Sequence, residues 1–492
     1  MRQYVSHLTR GVAIYGAGDA AVQALSFLLL PIYVKFGYLD ASDYGAIGPI
    51  IAIEMLAKIV SRWGLDGALM RYYHDRPAGG PLELLTSTIV WFTLTANLAV
   101  FGAAISAAVF FGHTFFQEPG DGLGLTAMLV NTFLISLTYV PLHIMRLRDH
   151  AVMFSAIGLG RSAGTVAARL VLVIGLGWGV AGWFIADVVV TLLTWPILWT
   201  WMRPLLQRRF SREELRLALA FGLPRIPHGL ALQGLDAGNK LLLSAHLPQA
   251  QVGVYQNGFT VGTAIRFFTS AFETAWAPFY YSVARKPDAA VTYGKVTTYG
   301  VAVLALLVAV TCAAARDVVL VMLTPEYLGA VPVIPLIATG MAMQGIYLLT
   351  SIGLNLTSQT RYYPIATTAA LIVGLGAGAV LMPRFGMTGA ALAFLLSTIT
   401  QAGVAFRFAW RAYPIAYEPA RLARVLVAAA LSGVTAAWIW PALAPIAGLF
   451  LRPVIAASVF AAVLAVTGFF RRSERAFLAE LQGRLSGRAN RV

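Results

Sequence analysis

Residues 41–73 read ASDYGAIGPIIAIEMLAKIVSRWGLDGALMRYY, and residues 249–281 read QAQVGVYQNGFTVGTAIRFFTSAFETAWAPFYY. Laid over one another at an offset of 208, Gly45 falls on Gly253, Tyr72 on Tyr280 and Tyr73 on Tyr281. Lys58 falls on Arg266, so a cation recurs at the same point of both stretches. Farther along the offset becomes 207. There GWGVAGWFIA (177–186) lies over RFGMTGAALA (384–393), pairing Gly179 with Gly386, Gly182 with Gly389 and Ala186 with Ala393. The identities are few but ordered, and an internal repeat dictates architecture. One period holds six apolar runs, an even number, so both halves enter a membrane from the same side. Parallel repeats of that kind are related by an axis along the membrane normal, with a substrate path between the halves. The expected division is a six-helix lobe over 1–205, a second over 206–415, and 416–492 with two additional helices and a basic tail.

Working outward, the rest of the chain has the same character. It is 59% hydrophobic and 12% charged, with a mean hydropathy of +0.74, against about 25% charged residues in soluble domains. A membrane-crossing helix needs roughly 20 mostly apolar residues. Such runs sit near 11–36, 44–69, 84–112, 122–145, 151–175, 178–201 and 217–245. They continue near 250–281, 296–323, 329–356, 362–383, 386–410, 421–442 and 449–470. This predicts an all-α polytopic membrane protein of about fourteen spans; the runs are too continuous for barrel strands. The first run is too long for a cleavable signal. The net charge of +15 is a topology signal: 25 of the 36 basic residues fall in the N-tail, the even-numbered loops and the C-tail. The odd-numbered loops hold only Lys35, Arg316, Arg384 and Arg452. That asymmetry predicts cytoplasmic termini and argues against a nucleic-acid partner. Attraction to anionic membrane lipid is the secondary reading of the basic excess. The single cysteine, Cys312, excludes an intramolecular disulfide or a cysteine-rich metal site.

Charges inside the spans are costly and usually face a cavity or a partner. Glu54, Lys58 and Arg62 lie at i, i+4 and i+8 on one face of the second helix. Lys58 and Arg266, at equivalent depths about 20 Å from the outer surface, are candidate substrate-binding cations from opposite lobes, with Arg62 beside them. The competing reading is that Lys58 merely pairs with Glu54. Lys35 and Lys240 are candidates for a second cationic tier at the outer mouth, although Asp236 precedes Lys240 by one turn. Asp19, with no local partner, is a candidate for proton or cation coupling; Glu54 and Glu273 are further cavity acids. Arg161 and Asp187, on consecutive helices, are expected to form a salt bridge. Pro224 and Pro227, in GLPRIPHG, suggest a hinge at the start of the seventh helix. There is no phosphate-binding Gly-rich loop, no nucleophile elbow and no metal-spaced His or Cys set, so no enzyme and no bound cofactor is expected.

Three stretches carry a resemblance. LLLPIYVKFGYLDASDYGAIGPI followed by GLDGALMRYY resembles the opening of polysaccharide-biosynthesis flippases. FGLPRIPHGL with LDAGNKLLLSAHLPQAQVGVYQNGF and AFETAWAPFYY resembles the start of their second half, and RFGMTGAALAFLLSTI their twelfth helix. The family is the oligosaccharide (O-antigen and polysaccharide) flippase branch of the multidrug/oligosaccharidyl-lipid/polysaccharide exporter superfamily. The likeness implies two six-helix lobes in a V, two peripheral helices, and a cationic cavity that Lys58, Arg62 and Arg266 fit by position. It implies transfer of an undecaprenyl-diphosphate-linked oligosaccharide from the cytoplasmic to the periplasmic leaflet of a bacterial inner membrane. Other polysaccharide-assembly proteins are implied as neighbours. The rivals are a peptidoglycan lipid flippase or multidrug exporter of the same superfamily, a polymerase or ligase of the same pathway, and a scaffold. Short outer loops, where the largest offers only Glu118 and Asp121, argue against the enzymes.

Overall fold

The computed structural model describes residues 29–73, 81–115, 119–148, 150–284, 286–438 and 443–471. Among them the chain is helical throughout, without strands. The first lobe comprises α1 (29–35), α2 (Ala41–Val60), α3 (Leu65–Tyr72), α4 (Pro81–Phe115), α5 (Pro119–Ser136), α6 (Tyr139–Leu147), α7 (Ala151–Arg169) and α8 (Gly179–Met202). A linker helix, α9 (Arg212–Gly222), precedes α10 (Ile226–His246), α11 (Gln249–Gly262), α12 (Arg266–Val283) and α13 (Ala289–Met322). The second lobe ends with α14 (Val333–Thr350), α15 (Ile352–Leu356) and α16 (Tyr362–Ala412), and α17 (Pro419–Trp438) and α18 (Pro445–Val466) follow. Eight of these segments are long and apolar enough to cross a membrane, or nine if the bent pair α2–α3 counts as one span. A helical segment stands at each expected position from the second run onward. α11 falls short of that length at 14 residues, and α16 holds two of the expected runs in one bent segment. The protein is a multi-pass membrane protein.

The repeat has a geometric basis. Gly179 opens α8 at φ +49°, and its counterpart Gly386 breaks α16 into two antiparallel helices at φ +54°. Only glycine takes that conformation without strain. Gly182 and Gly389 then lie bare against the backbone of the preceding helix. A β-carbon would stand 3.2 Å from the carbonyl oxygen of Leu172 in one case and 2.3 Å from that of Leu381 in the other.

The two lobes meet along α2 and α11. A capping box between Asp40 and Asp43 starts α2, with Asp43 N–H donating to Asp40 Oδ1 at 2.8 Å. One turn on, Gly45 packs on the first turn of α11. Its missing β-carbon would lie 1.9 Å from the carbonyl oxygen of Gln249, and that of Gly253 would lie 1.7 Å from the carbonyl oxygen of Ala41. Ala41 and Gln249 are themselves repeat mates, so the pseudo-twofold axis passes through this crossing. Small residues let helices approach this closely in membranes. Around it runs an apolar seam shared by both lobes, with Tyr33, Tyr44, Ile47 and Phe184 against Val254, Val319, Tyr327 and Ile334. Polar clamps complete it: Gln249 Nε2 donates to the Ser42 carbonyl at 3.1 Å and to Asp121 Oδ2 at 2.8 Å. We call this the outer end; the basic-rich loops lie at the other, inner, end.

At the inner end, α9 buries Ala218 and packs Leu219 and Phe221 among Leu65, Leu69, Leu85, Tyr139 and Met202 of the first lobe. Ser211 caps it, its hydroxyl accepting from Glu214 N–H at 3.2 Å. The last two helices pack on α13. Arg452 of α18 and Asp317 of α13 form a buried ion pair at 3.5 Å. Glu418 holds both Arg421 and Arg471 beside Tyr299.

The expected Arg161–Asp187 bridge is replaced by a different pair. Arg169 Nη2 reaches both Asp187 oxygens, at 3.2 and 2.9 Å, with its guanidinium 4.0 Å above the Trp183 ring. Arg161 instead donates to Thr191 Oγ1 at 3.3 Å. The reason is depth: counted from the α7–α8 turn, Arg169 and Asp187 are level, and Arg161 lies two helical turns beyond. Stranding one partly buried partner costs roughly 3 kcal/mol. Arg169→Asp or Asp187→Arg alone should therefore cut folded yield severalfold, and the swap should recover most of it. Additive losses in a double-mutant cycle would contradict direct pairing.

Candidate functional site

The second helix breaks where its cations are. After Val60 the chain turns through Trp63 (φ +52°) and Gly64 (φ +68°) before α3 resumes at 40° to α2. A break inside a membrane needs partners for the freed backbone, and Asn97 of α4 supplies them. Its Nδ2 donates to the Ser61 carbonyl and to Ser136 Oγ, each at 2.8 Å, and its Oδ1 accepts from Trp63 Nε1 at 2.9 Å. Asn97 is fully buried. Asn97→Leu strands a carbonyl and an indole N–H at about 1–3 kcal/mol each. The variant should melt several degrees lower in detergent, with altered tryptophan fluorescence; unchanged melting and emission would show the break to be self-supporting.

This break aims the basic residues. Lys58 Nζ lies 2.7 Å from Glu54 Oε1, one turn back on the same helix, with the side chains 36% and 13% exposed. Arg62 lies in the break, 3.7 Å from Asp66 Oδ2, and 42% exposed. The eighth helix is also broken, by a 3-10 turn over Thr263–Ile265, so that Arg266 is the first residue of α12. The other face of α12 is anchored by a row of rings, Phe268 stacked on Phe272 and Phe272 tilted against Trp276. Trp276 Nε1 donates to the Leu348 carbonyl at 3.3 Å. Arg266 and Glu273 are both exposed on the opposite face. Among the described residues the Arg266 side chain makes no ion pair.

The remaining candidates lie elsewhere. Lys35 is exposed, and its ammonium donates to the Val321 carbonyl of α13 at 3.0 Å, across the outer seam. Lys240 is buried inside the second lobe, its ammonium 4.8 Å from the Phe259 ring centroid. Nearby, Asp236 Oδ1 is buried without a hydrogen-bond partner among the described residues. Asp19 lies outside the described residues. The described residues hold no cluster suited to a metal. Sequence reading passed over Asn97 and Arg225. Arg225 stands inside GLPRIPHG, where the prolines drew attention to a hinge and not to the cation between them.

A sequence profile of polysaccharide biosynthesis proteins matches residues 38–332, more than half of the chain. No curated protein matches. Among solved structures, the lipid II flippase MurJ in an inward closed conformation superposes with a TM-score of 0.69 at 11% identity, covering 92% of this chain and 98% of that one. An inward-facing multidrug resistance MATE family transporter of the MOP superfamily gives 0.61 at 14% identity, covering 82% and 95%. A MATE protein in the straight conformation gives 0.56 at 15%, covering 85% and 96%. At such identities the likeness is one of fold. The chain thus belongs to the polysaccharide biosynthesis protein family, on the fold shared by a lipid flippase and multidrug transporters.

Proposed function

We propose that the protein flips an undecaprenyl-diphosphate-linked oligosaccharide from the cytoplasmic to the periplasmic leaflet of a bacterial inner membrane, by alternating access and without hydrolysing ATP. The observation that carries this reading is the family match over 38–332 on a flippase fold. The site agrees with it: two broken, repeat-related helices present Lys58, Arg62 and Arg266 away from the sealed outer end. A diphosphate is well matched by two or more lysine or arginine contacts. The lobes 1–205 and 206–415 would rock about the seam, with α9 riding on the first lobe and 416–492 peripheral. Proton or cation coupling through Asp19, Glu54 or Glu273 is part of the same proposal, as is work alongside other polysaccharide-assembly proteins. Proteoliposomes loaded with a fluorescent undecaprenyl-diphosphate oligosaccharide test the reading directly. Protein-dependent loss of leaflet protection is expected. Translocation of lipid II alone would transfer the protein to the peptidoglycan branch, and translocation of neither, with drug efflux, to the multidrug branch.

A further inference from the structure

At the inner end, glycines let the backbone of α9 and α10 come close to the first lobe. The missing β-carbon of Gly229 would lie 3.2 Å from Ile59 Cγ2, and that of Gly64 would lie 2.2 Å from the Gly222 carbonyl oxygen. Next along the seam, Arg225 lays its guanidinium over Gly67, with Nη1 2.4 Å from where a β-carbon would stand. A side chain at position 67 would push Arg225 away. The segment that carries Arg225 is fixed: α9 is docked on the first lobe, and a 3-10 turn over Leu223–Arg225 leads straight into α10. The cradle therefore holds the cation at the entrance to the inter-lobe seam.

Arg225 is not there to satisfy Asp66. Asp66 accepts from Gly67 N–H at 2.8 Å and lies 3.7 Å from Arg62, and Arg225 makes no ion pair or hydrogen bond among the described residues. Its one described partner is the Phe221 ring, 5.4 Å away. Asp66 is thus already engaged by Arg62 and Gly67, and Arg225 keeps free, exposed donors. Their level in the fold is the second clue. Arg225 is the last residue before α10, and Arg62 lies just past the end of α2, in the break before α3. Lys58 is one turn deeper and already paired with Glu54. A lipid phosphate entering from the inner end would meet this level before Lys58.

We propose that Arg225, cradled on Gly67, joins Arg62 as the docking point for the phosphate groups of a lipid-linked diphosphate entering from the inner leaflet. This rests on the flippase reading and adds to it a contact from the seventh helix. An ordinary anionic phospholipid carries related chemistry, so the test has two arms. The full-length protein in nanodiscs is titrated with undecaprenyl diphosphate, and separately with phosphatidylglycerol, for the wild type and for Arg225→Ala, Arg225→Lys and Gly67→Val. Loss of a charge-assisted contact should weaken undecaprenyl diphosphate about tenfold or more in Arg225→Ala. Gly67→Val should do the same with every charge retained, and Arg225→Lys should fall between. Phosphatidylglycerol binding should change little. Wild-type affinity in Arg225→Ala, or equal weakening of both lipids, would overturn the docking role. If Gly67→Val fails to insert, Arg225→Lys decides: affinity no better than Arg225→Ala would count against a charge contact. A wild-type protein that flips normally while Arg225→Ala binds and flips unchanged removes this site alone. Absence of any wild-type binding to undecaprenyl diphosphate removes the flippase reading, and the site with it.

Discussion

Gly45→Ala and Gly253→Ala should each part the outer ends of the two lobes and abolish export, although each change is a single methyl group. The β-carbon would stand 1.9 or 1.7 Å from a backbone carbonyl oxygen, where carbon contacts settle at about 3.5–4.0 Å. No side chain can swing aside, because the obstacle is backbone, so α2 and α11 must separate by more than 1 Å. Alanine is also the better helix former by about 1 kcal/mol, so neither helix is weakened in itself. The readout is accessibility. Val254 is 8% exposed within the shared seam. On a background where Cys312, the only cysteine, is replaced by serine, Val254→Cys should resist a membrane-impermeant maleimide. With Gly45→Ala added, it should label from the outer side. Gly102, with nothing within 4 Å of its would-be β-carbon, is the control, and Gly102→Ala should be silent. Full protection of Val254→Cys in the Gly45→Ala background, with normal export, would show that the crossing is not what closes the outer end.

That glycine pair shows what was legible in the chain. Hydropathy predicted membrane helices because the bilayer imposes a length and a composition. The repeat was legible in part because its shared glycines have a backbone reason. Gly45 and Gly253 sit at the pseudo-twofold crossing, and Gly179 and Gly386 take positive φ at equivalent turns. The side-chain partners were less legible. Arg161 and Asp187 lie on consecutive helices, but which residues are level depends on where the turn between those helices falls, and Arg169 is the residue that stands opposite Asp187. Lys240 reads as part of a cationic tier at the outer mouth, yet α10 turns it into the second lobe against Phe259, a matter of helix rotation. The breaks in the second and eighth helices are not at equivalent positions, so the shared offset of Lys58 and Arg266 did not foretell their different settings. One ends α2 and is paired, while the other begins α12.

Those different settings should separate the two cations in transport. Arg266→Ala should reduce export at least tenfold while leaving the protein inserted, since an exposed cation with no ion pair among the described residues is not holding the fold together. Arg266→Lys should be milder, because the charge survives although the planar fork does not. Lys58 is a harder case, because at 2.7 Å from Glu54 it has two roles to separate. If it only neutralises Glu54, Lys58→Ala will fail by leaving a carboxylate beside the path, and Glu54→Gln will rescue it. If it meets the diphosphate, the glutamine will not rescue it, because what is missing is a donor to phosphate and not a partner for an acid. The docking of an anion would then loosen the Glu54–Lys58 pair, drawing the ammonium from carboxylate to phosphate at little net electrostatic cost. The expected order of export is therefore wild type, then Arg266→Lys, then Glu54→Gln with Lys58→Ala close to Lys58→Ala alone, and lowest the combination of Lys58→Ala with Arg266→Ala. Near-wild-type export by the Glu54→Gln, Lys58→Ala double variant, together with a silent Arg266→Ala, would end the case for a diphosphate held between the two lobes.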